Sequence, residues 1–274
     1  MSASHGSTTV SRALQARTVW KNPLTILITG ATGGIGAALA RRYARPDRTL
    51  ILHGRNTARL AALAHDCENC GARVVSIVFD LREPAEAIRI LRQTSREHAI
   101  DLVIVNAGVT HSIGAGEEVE NWDIARGVLA VNLDGAIATI GAVLPDMRRR
   151  AAGQIAIVSS LSAYYGLPIT PTYCASKAAL KAYGEALRGW LAPQGLAVNV
   201  VLAGFVRTEM AERFPGAKPA ALTPDEAAER IERGLTANMA RIAFPRALAW
   251  GAWCLAVLPA ALAQRLVRAF GYGA

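Results

Sequence analysis

Aromatic residues are scarce in this chain, at 6% of 274 positions, although hydrophobic residues make up 52%. Alanine, valine, leucine and isoleucine therefore carry most of the apolar content, which suits a parallel sheet covered by helices on both faces. Cysteine is sparse too: Cys67, Cys70, Cys174 and Cys254 do not amount to a disulfide framework. Cys67-x-x-Cys70, with His65 close by, reads as a redox pair or half of a zinc site. A structural zinc takes about four ligands and no second cluster follows, so no metal is expected. Cys174 reads as a packing residue, since no matching histidine is evident. The chain also lacks internal repeats and long low-complexity tracts. Residues 1–23 contain no acidic residue and no apolar core long enough for a secretory signal. Their serine, threonine and arginine content fits either a flexible extension or an organellar transit peptide.

Acidic side chains are outnumbered, giving a net charge of +9. Yet Arg41-Arg42, Arg148-Arg149-Arg150, Arg230 with Arg233, and Arg265 with Arg268 fall on the outer faces of different expected helices. A nucleic-acid partner would call for a compact basic stripe interleaved with aromatics, so none is expected.

Two stretches carry chemistry. Tyr173 and Lys177 are four residues apart, about one turn of a helix, so phenol and ammonium project from the same face. A neighbouring cation favours the phenolate and lowers the tyrosine pKa, which would make the pair a proton-transfer device. Upstream, Thr29-Gly30-Ala31-Thr32-Gly33-Gly34-Ile35-Gly36 follows the β-branched run Leu24–Ile28 and precedes the helical Ala37–Tyr43. Glycines there let the backbone turn tightly, approach a pyrophosphate and bring the helix against the strand. The loop alone would equally serve a flavin, S-adenosylmethionine or a tight turn.

Together, the two motifs resemble the short-chain dehydrogenase/reductase family, whose signature is Thr-Gly-x-x-x-Gly-x-Gly near the start and Tyr-x-x-x-Lys about two-thirds along. The resemblance runs over roughly residues 24–245. It implies an α/β, doubly wound Rossmann fold with a single, mostly parallel seven-stranded sheet and helices on both faces. Strands are expected at 24–28, 49–53, 73–79, 102–105, 155–158, 197–202 and 242–244, with the third reading as buried. The implied division is an extension over 1–23, a catalytic domain over 24–245 and an apolar helical extension over 246–274.

The resemblance also implies roles. Ser160, thirteen residues before Tyr173, takes the place of the catalytic serine, with Tyr173 and Lys177 beside it. Asn132, mildly unfavourable inside a helix, takes the place of an asparagine that bends the helix and holds a water behind the lysine. Cofactor contacts are implied for Gly30, Thr32, Gly34, Ile35 and Gly36, for Arg55, for Asp80 and Leu81, for Asn106, Ala107 and Gly108, for Tyr173 and Lys177, and for Thr208. Of these, Asp80 would meet the adenine amine, Asn106 would steady the sheet and Gly108 would leave room beside the adenosine. An acidic residue after the second strand would bind the adenosine ribose, whereas arginine accommodates a 2′-phosphate. Gly54 followed by Arg55, with Arg59 one turn on, favours NADP over NAD; Gly33, where NADP enzymes often carry a basic residue, argues the other way. Ala203 replaces the usual proline before Gly204, and 209–224 reads as a mobile lid.

The implied activity is hydride transfer between NAD(P) and an alcohol/carbonyl pair, with carbonyl reduction of an apolar substrate expected. Alternatives are a non-catalytic dinucleotide-binding or membrane-associated protein on the same fold, and a methyltransferase, which would leave Tyr173 and Lys177 unexplained. A homodimer or homotetramer is expected, in the cytoplasm. The last segment departs most from a minimal family member. Between Arg246 and Arg265 no residue is charged, a run near the lower end of the about 17–25 residues that span a bilayer. Pro259 and Gly251 interrupt it. Tryptophans with flanking arginines fit peripheral membrane contact through 246–270; an oligomer contact or a cover over the substrate cleft would also use such a segment.

Overall fold

The computed structural model describes residues 22–113 and 119–269. The extension expected over 1–23 lies almost wholly outside them. Seven strands form one sheet in the order β3-β2-β1-β4-β5-β6-β7, every neighbouring pair parallel. They are β1 Thr25–Ile28, β2 Thr49–His53, β3 Arg73–Ile77, β4 Leu102–Val105, β5 Gly153–Ser160, β6 Leu196–Ala203 and β7 Arg241–Phe244. The order reverses between β1 and β4, so the crevice at their carboxyl ends is the topological switch point where such sheets bind ligands.

The helices are α1 Gly34–Tyr43, α2 Thr57–Asn69, α3 Pro84–Glu97, α4 Trp122–Leu129, α5 Gly135–Arg150, α6 Pro171–Leu191, α7 Glu209–Glu212, α8 Pro224–Thr236, α9 Arg246–Val257 and α10 Ala260–Val267. Several starts are written locally. Asn56 and Asn121 cap α2 and α4 by accepting backbone N–H groups, and Thr223 with Glu226 forms a capping box on α8. Side-chain alternation along the strands separates two cores. Ile26 and Ile28 face Leu39, Tyr43, Leu60 and Ile231; Leu27 faces Leu91, Ile140, Val143 and Leu187.

β4 and β6 are buried on both faces, as central parallel strands must be. β3, which the sequence suggested was buried, is instead the sheet's edge: Arg73 and Ser76 are exposed and its other residues only partly covered. Its apolar composition does not distinguish a strand covered on two faces from one covered on a face and left open on an edge.

Trp122–Arg150, helical throughout, is among the described residues the one stretch long and apolar enough to cross a membrane, and 61% of its most apolar window is buried inside the molecule. The C-terminal run forms two shorter helices, broken at Leu258-Pro259. α9 rests Leu248, Ala249 and Ala252 on Leu161, Val200 and Leu202, while α10 buries Ala263 and Val267.

Candidate active site

β5 delivers Ser159 and Ser160 to the carboxyl edge of the sheet, and α6 brings Tyr173 and Lys177 against them. Ser159 Oγ donates to Lys177 O at 2.7 Å, tying the first turns of α6 to the strand end. Ser160 Oγ accepts from Ser162 N at 3.2 Å and hydrogen-bonds the Tyr173 phenol. Lys177 is buried; its Nζ donates to Val158 O at 3.0 Å and lies 5.7 Å from the Tyr173 ring centroid.

Burial pushes the Tyr173 phenol up to about 12, with the Ser160 hydrogen bond pulling the other way. Burial likewise pulls the Lys177 ammonium down to about 8. The expectation that Lys177 lowers the tyrosine pKa is therefore not met in this structure. Burial drives both groups toward their neutral forms, and no pull from the Lys177 charge registers on the phenol.

Asn132 sits in a π-helical turn, Ala130–Asp134, inserted between α4 and α5. Such turns are frequent at functional sites, and this one points a fully buried asparagine at the start of the loop after β4. Asn132 Oδ1 accepts from Val109 N at 2.8 Å, and Nδ2 donates to Val109 O and to Ser176 Oγ at 3.0 Å. Ser176 Oγ donates on to Tyr173 O at 2.7 Å. Gly108, expected beside the adenosine, lies against this group: a Cβ there would come 3.3 Å from Asn132 Oδ1 and 3.4 Å from Lys177 Nζ.

The glycine loop is packed without room for side chains. Gly30 has φ +63°, and a Cβ on it would sit 2.7 Å from Ala107 Cα. A Cβ on Gly34 would strike the Thr208 methyl, and one on Gly36 would strike Gly30 O and Asn106 Nδ2. Asn106 ties β4 to this loop, its Nδ2 donating to Thr29 O and Gly30 O at 3.1 Å. Because the obstacle is largely backbone, Gly36→Ala is expected to cost about 1–3 kcal/mol by overpacking and to weaken dinucleotide binding as the loop shifts. Thermal unfolding and an NADPH titration check both effects.

His53, which sequence reasoning passed over, supports the same loop. Its Nδ1 accepts from Gly30 N at 3.3 Å, so the Nε2–H donates to Phe79 O at 3.0 Å, and the ring stacks on Phe79 at 4.0 Å. Burial lowers its pKa, which keeps it neutral as this bonding requires. The available signal was a histidine ending an otherwise apolar strand. Ser176 and the backbone of Val109 were missed as well.

Three arginines surround the end of β2. Arg55 Nη1 reaches Asp80 Oδ2 at 3.4 Å, and Arg82 donates to the same oxygen at 3.0 and 2.6 Å through Nε and Nη2. These Arg82 hydrogen bonds, with the Arg55 charge adding, hold the Asp80 carboxyl well below its usual range. Arg59 grips Glu209 through both terminal nitrogens, Nη1 donating to Oε2 at 3.2 Å and Nη2 to Oε1 at 2.9 Å. Leu81 turns inward, where its Cβ would lie 2.9 Å from a Cβ on Gly135. A Cβ on Gly54 would fall 2.9 Å from Thr32 Cγ2, which brings Thr32 beside the arginine cluster. Thr208 caps α7 by accepting from Ala211 N at 3.2 Å. The expected lid is closed at its base by the bridge Val206↔Leu222.

This arrangement has counterparts. The family model for short chain dehydrogenases matches residues 24–218. The chain belongs to the short-chain dehydrogenase family. An uncharacterized oxidoreductase of Myxococcus xanthus is 33% identical over 236 residues, 86% of this chain and 92% of that protein. A short-chain dehydrogenase from Sphingobium yanoikuyae in complex with NADPH superposes with a TM-score of 0.76 at 28% identity, covering 89% of this chain and 95% of its own. A 3-oxoacyl-[acyl-carrier protein] reductase from Brucella melitensis with bound NAD gives a TM-score of 0.68 at 28% identity, covering 85% and 92%. As a short-chain dehydrogenase, the protein is an oxidoreductase that acts on CH–OH groups with NAD(P), and its sheet is the family's Rossmann fold.

Proposed function

We propose that this short-chain dehydrogenase is an NADP-preferring reductase of apolar carbonyl compounds, with Ser160, Tyr173, Lys177 and Asn132 as its working residues. The observation that carries the reading is that Asn132, Ser160 and the Tyr173–Lys177 turn, from three separate elements, meet near one strand end, with a phenol that burial keeps protonated and a buried lysine. The glycine cradle fits a dinucleotide pyrophosphate, because Gly30, Gly34 and Gly36 leave backbone where any Cβ would collide, and the N-terminus of α1 carries no acidic residue to compete with an anion. Asn106, Ala107, Gly108 and Thr208 close the same crevice. When bound, the nicotinamide supplies or accepts the hydride.

The chain's own residues handle the proton. Ser160 Oγ hydrogen-bonds the substrate oxygen and holds it toward Tyr173, whose phenol donates its proton as charge develops there. Lys177, when charged, stabilises the phenolate left behind. Asn132 holds the Val109 segment and the Ser176 hydroxyl behind the lysine and, with water, forms the path by which the proton is replaced. A binding-only scaffold has no chemical need for a buried lysine and this asparagine together.

Since Lys177 carries its proton below about 8, its help is present at lower pH and lost as pH rises through that value. The kcat for reduction is expected to fall above this point, and Lys177→Met should abolish the limb along with most of the rate. A screen of carbonyl compounds and alcohols with NADPH and NADH, followed by nicotinamide absorbance, tests the activity itself. No turnover of any carbonyl by a folded protein that binds NADPH would favour the non-catalytic alternative.

NADP preference rests on Gly54-Arg55, which puts a cation and no acidic residue directly after β2, although Arg55 leans on Asp80 from the loop after β3. Arg55→Ala is expected to weaken NADPH binding by about tenfold or more, the scale of a lost charge-assisted hydrogen bond, and NADH binding much less. Equal losses in the two titrations would remove Arg55 from the phosphate site. We further propose a homo-oligomer in the cytoplasm whose C-terminal helices touch a membrane surface peripherally. The support for that contact is the exposed tryptophans of α9 and the arginines around them.

A further inference from the structure

A cavity of about 560 Å³ lies between the loop that follows β5 and helix α10, outside the group formed by Ser160, Tyr173 and Lys177. Its lining is mainly apolar, including Leu167 and Pro168 from the loop, Cys174 and Ala178 from α6, and Val267 from α10. That volume falls within the about 300–1,000 Å³ typical of small-ligand sites. Two positions tie it to the chemistry: Ser162 lies two residues beyond Ser160, and Cys174 follows Tyr173. Ser162 Oγ is buried without a hydrogen-bond partner, a state that is costly for a hydroxyl unless something else meets it. Arg268 is the charged side chain among the described lining residues, and among the described residues it forms no ion pair. The wall that α10 provides lies beyond residue 218, where the match to the family model ends.

We propose that this cavity binds an amphiphile with a single apolar chain and an anionic head, the head paired with Arg268 and the chain running along α6 to bring a carbonyl it carries to the Ser162 hydroxyl. An apolar lining selects the chain, the single guanidinium among the described lining side chains selects the anion, and the orphan hydroxyl selects a polar group along the chain. The proposal deepens and rests on the carbonyl-reductase reading in one respect: it makes the substrate class a chain whose carbonyl lies away from a charged end. Its test reads binding rather than turnover, so the two readings fail separately.

The probe is a fluorescent fatty acid bound to the full chain and displaced by dodecanoate, dodecyl phosphate or dodecanol below their micelle concentrations. Both anions are expected to displace it better than the alcohol, the tighter of the two identifying a carboxylate or a phosphate head. Arg268→Gln should weaken both anions by about tenfold and leave dodecanol within about twofold. Ala178→Trp, which fills the cavity from the exposed side of α6, should weaken all three, with unchanged NADPH affinity reporting a folded protein in each variant. No displacement by any of the three compounds overturns the proposal, as does an anion affinity that neither variant changes, or a dodecanol affinity equal to that of the anions.

Discussion

Replacing Tyr173 with phenylalanine is expected to lower carbonyl reduction by about a hundredfold to ten-thousandfold, the usual contribution of a positioned general acid, while NADPH binding stays nearly intact. Burial pushes the phenol up to about 12, so it is protonated across the neutral range and can give its proton to an oxygen on which negative charge develops. Phenylalanine keeps the ring beside the Lys177 ammonium, 5.7 Å from its centroid, and removes only the hydroxyl that meets Ser160. Steady-state kcat and a fluorescence titration of NADPH separate the two effects. Unchanged turnover would take Tyr173 out of the chemistry. A matching loss of NADPH affinity would mean that the hydroxyl serves binding rather than proton transfer.

Spacing and a family resemblance together made the centre of the site legible, and environment hid the rest. One helical turn put Tyr173 and Lys177 on one face, and the resemblance to the short-chain dehydrogenase/reductase family added Ser160 and Asn132, which the fold brings close to that pair. A parallel sheet was equally readable, because buried apolar runs separated by amphipathic helices leave few other arrangements. What failed depends on neighbours distant in the chain. β3 was given the wrong exposure because its edge position is decided by the sheet order, not by Arg73–Ile77 itself. The direction of the Tyr173 shift was misjudged because desolvation is set by the whole fold, whereas spacing reports only the nearest charge. His53 looked like a strand-end residue until Gly30 N and Phe79 O came to either side of its ring. Arg59 counted only toward the NADP preference, and its grip on Glu209, which joins α2 to the start of the lid, had no local signature at all.

The C-terminal helices are expected to bring the protein down with anionic liposomes, and Trp250→Ser with Trp253→Ser to leave it in the supernatant. Every residue of α9 remains at least partly exposed, and Trp250 and Trp253, 68% and 44% exposed, meet edge to face at 5.5 Å. Val257 and Leu262 extend the apolar surface. Exposed patches of this kind usually mark an interaction, and tryptophan is the side chain best suited to the headgroup boundary. Neither helix is long enough to span: α9 has 12 residues and α10 has 8, against about 20 for a bilayer. A helix pair lying in the interface meets both constraints. Arg246, Arg265 and Arg268, with no acidic residue after Glu232, favour anionic headgroups, each contributing about 1 kcal/mol near such a surface. Binding should therefore weaken as salt rises and disappear on neutral vesicles, while the tryptophan variant keeps its NADPH affinity because neither side chain approaches the glycine loop. Were the wild-type protein to stay in the supernatant and the double variant to change its oligomeric size in sedimentation, the apolar face would belong to a second subunit and the membrane contact would be wrong.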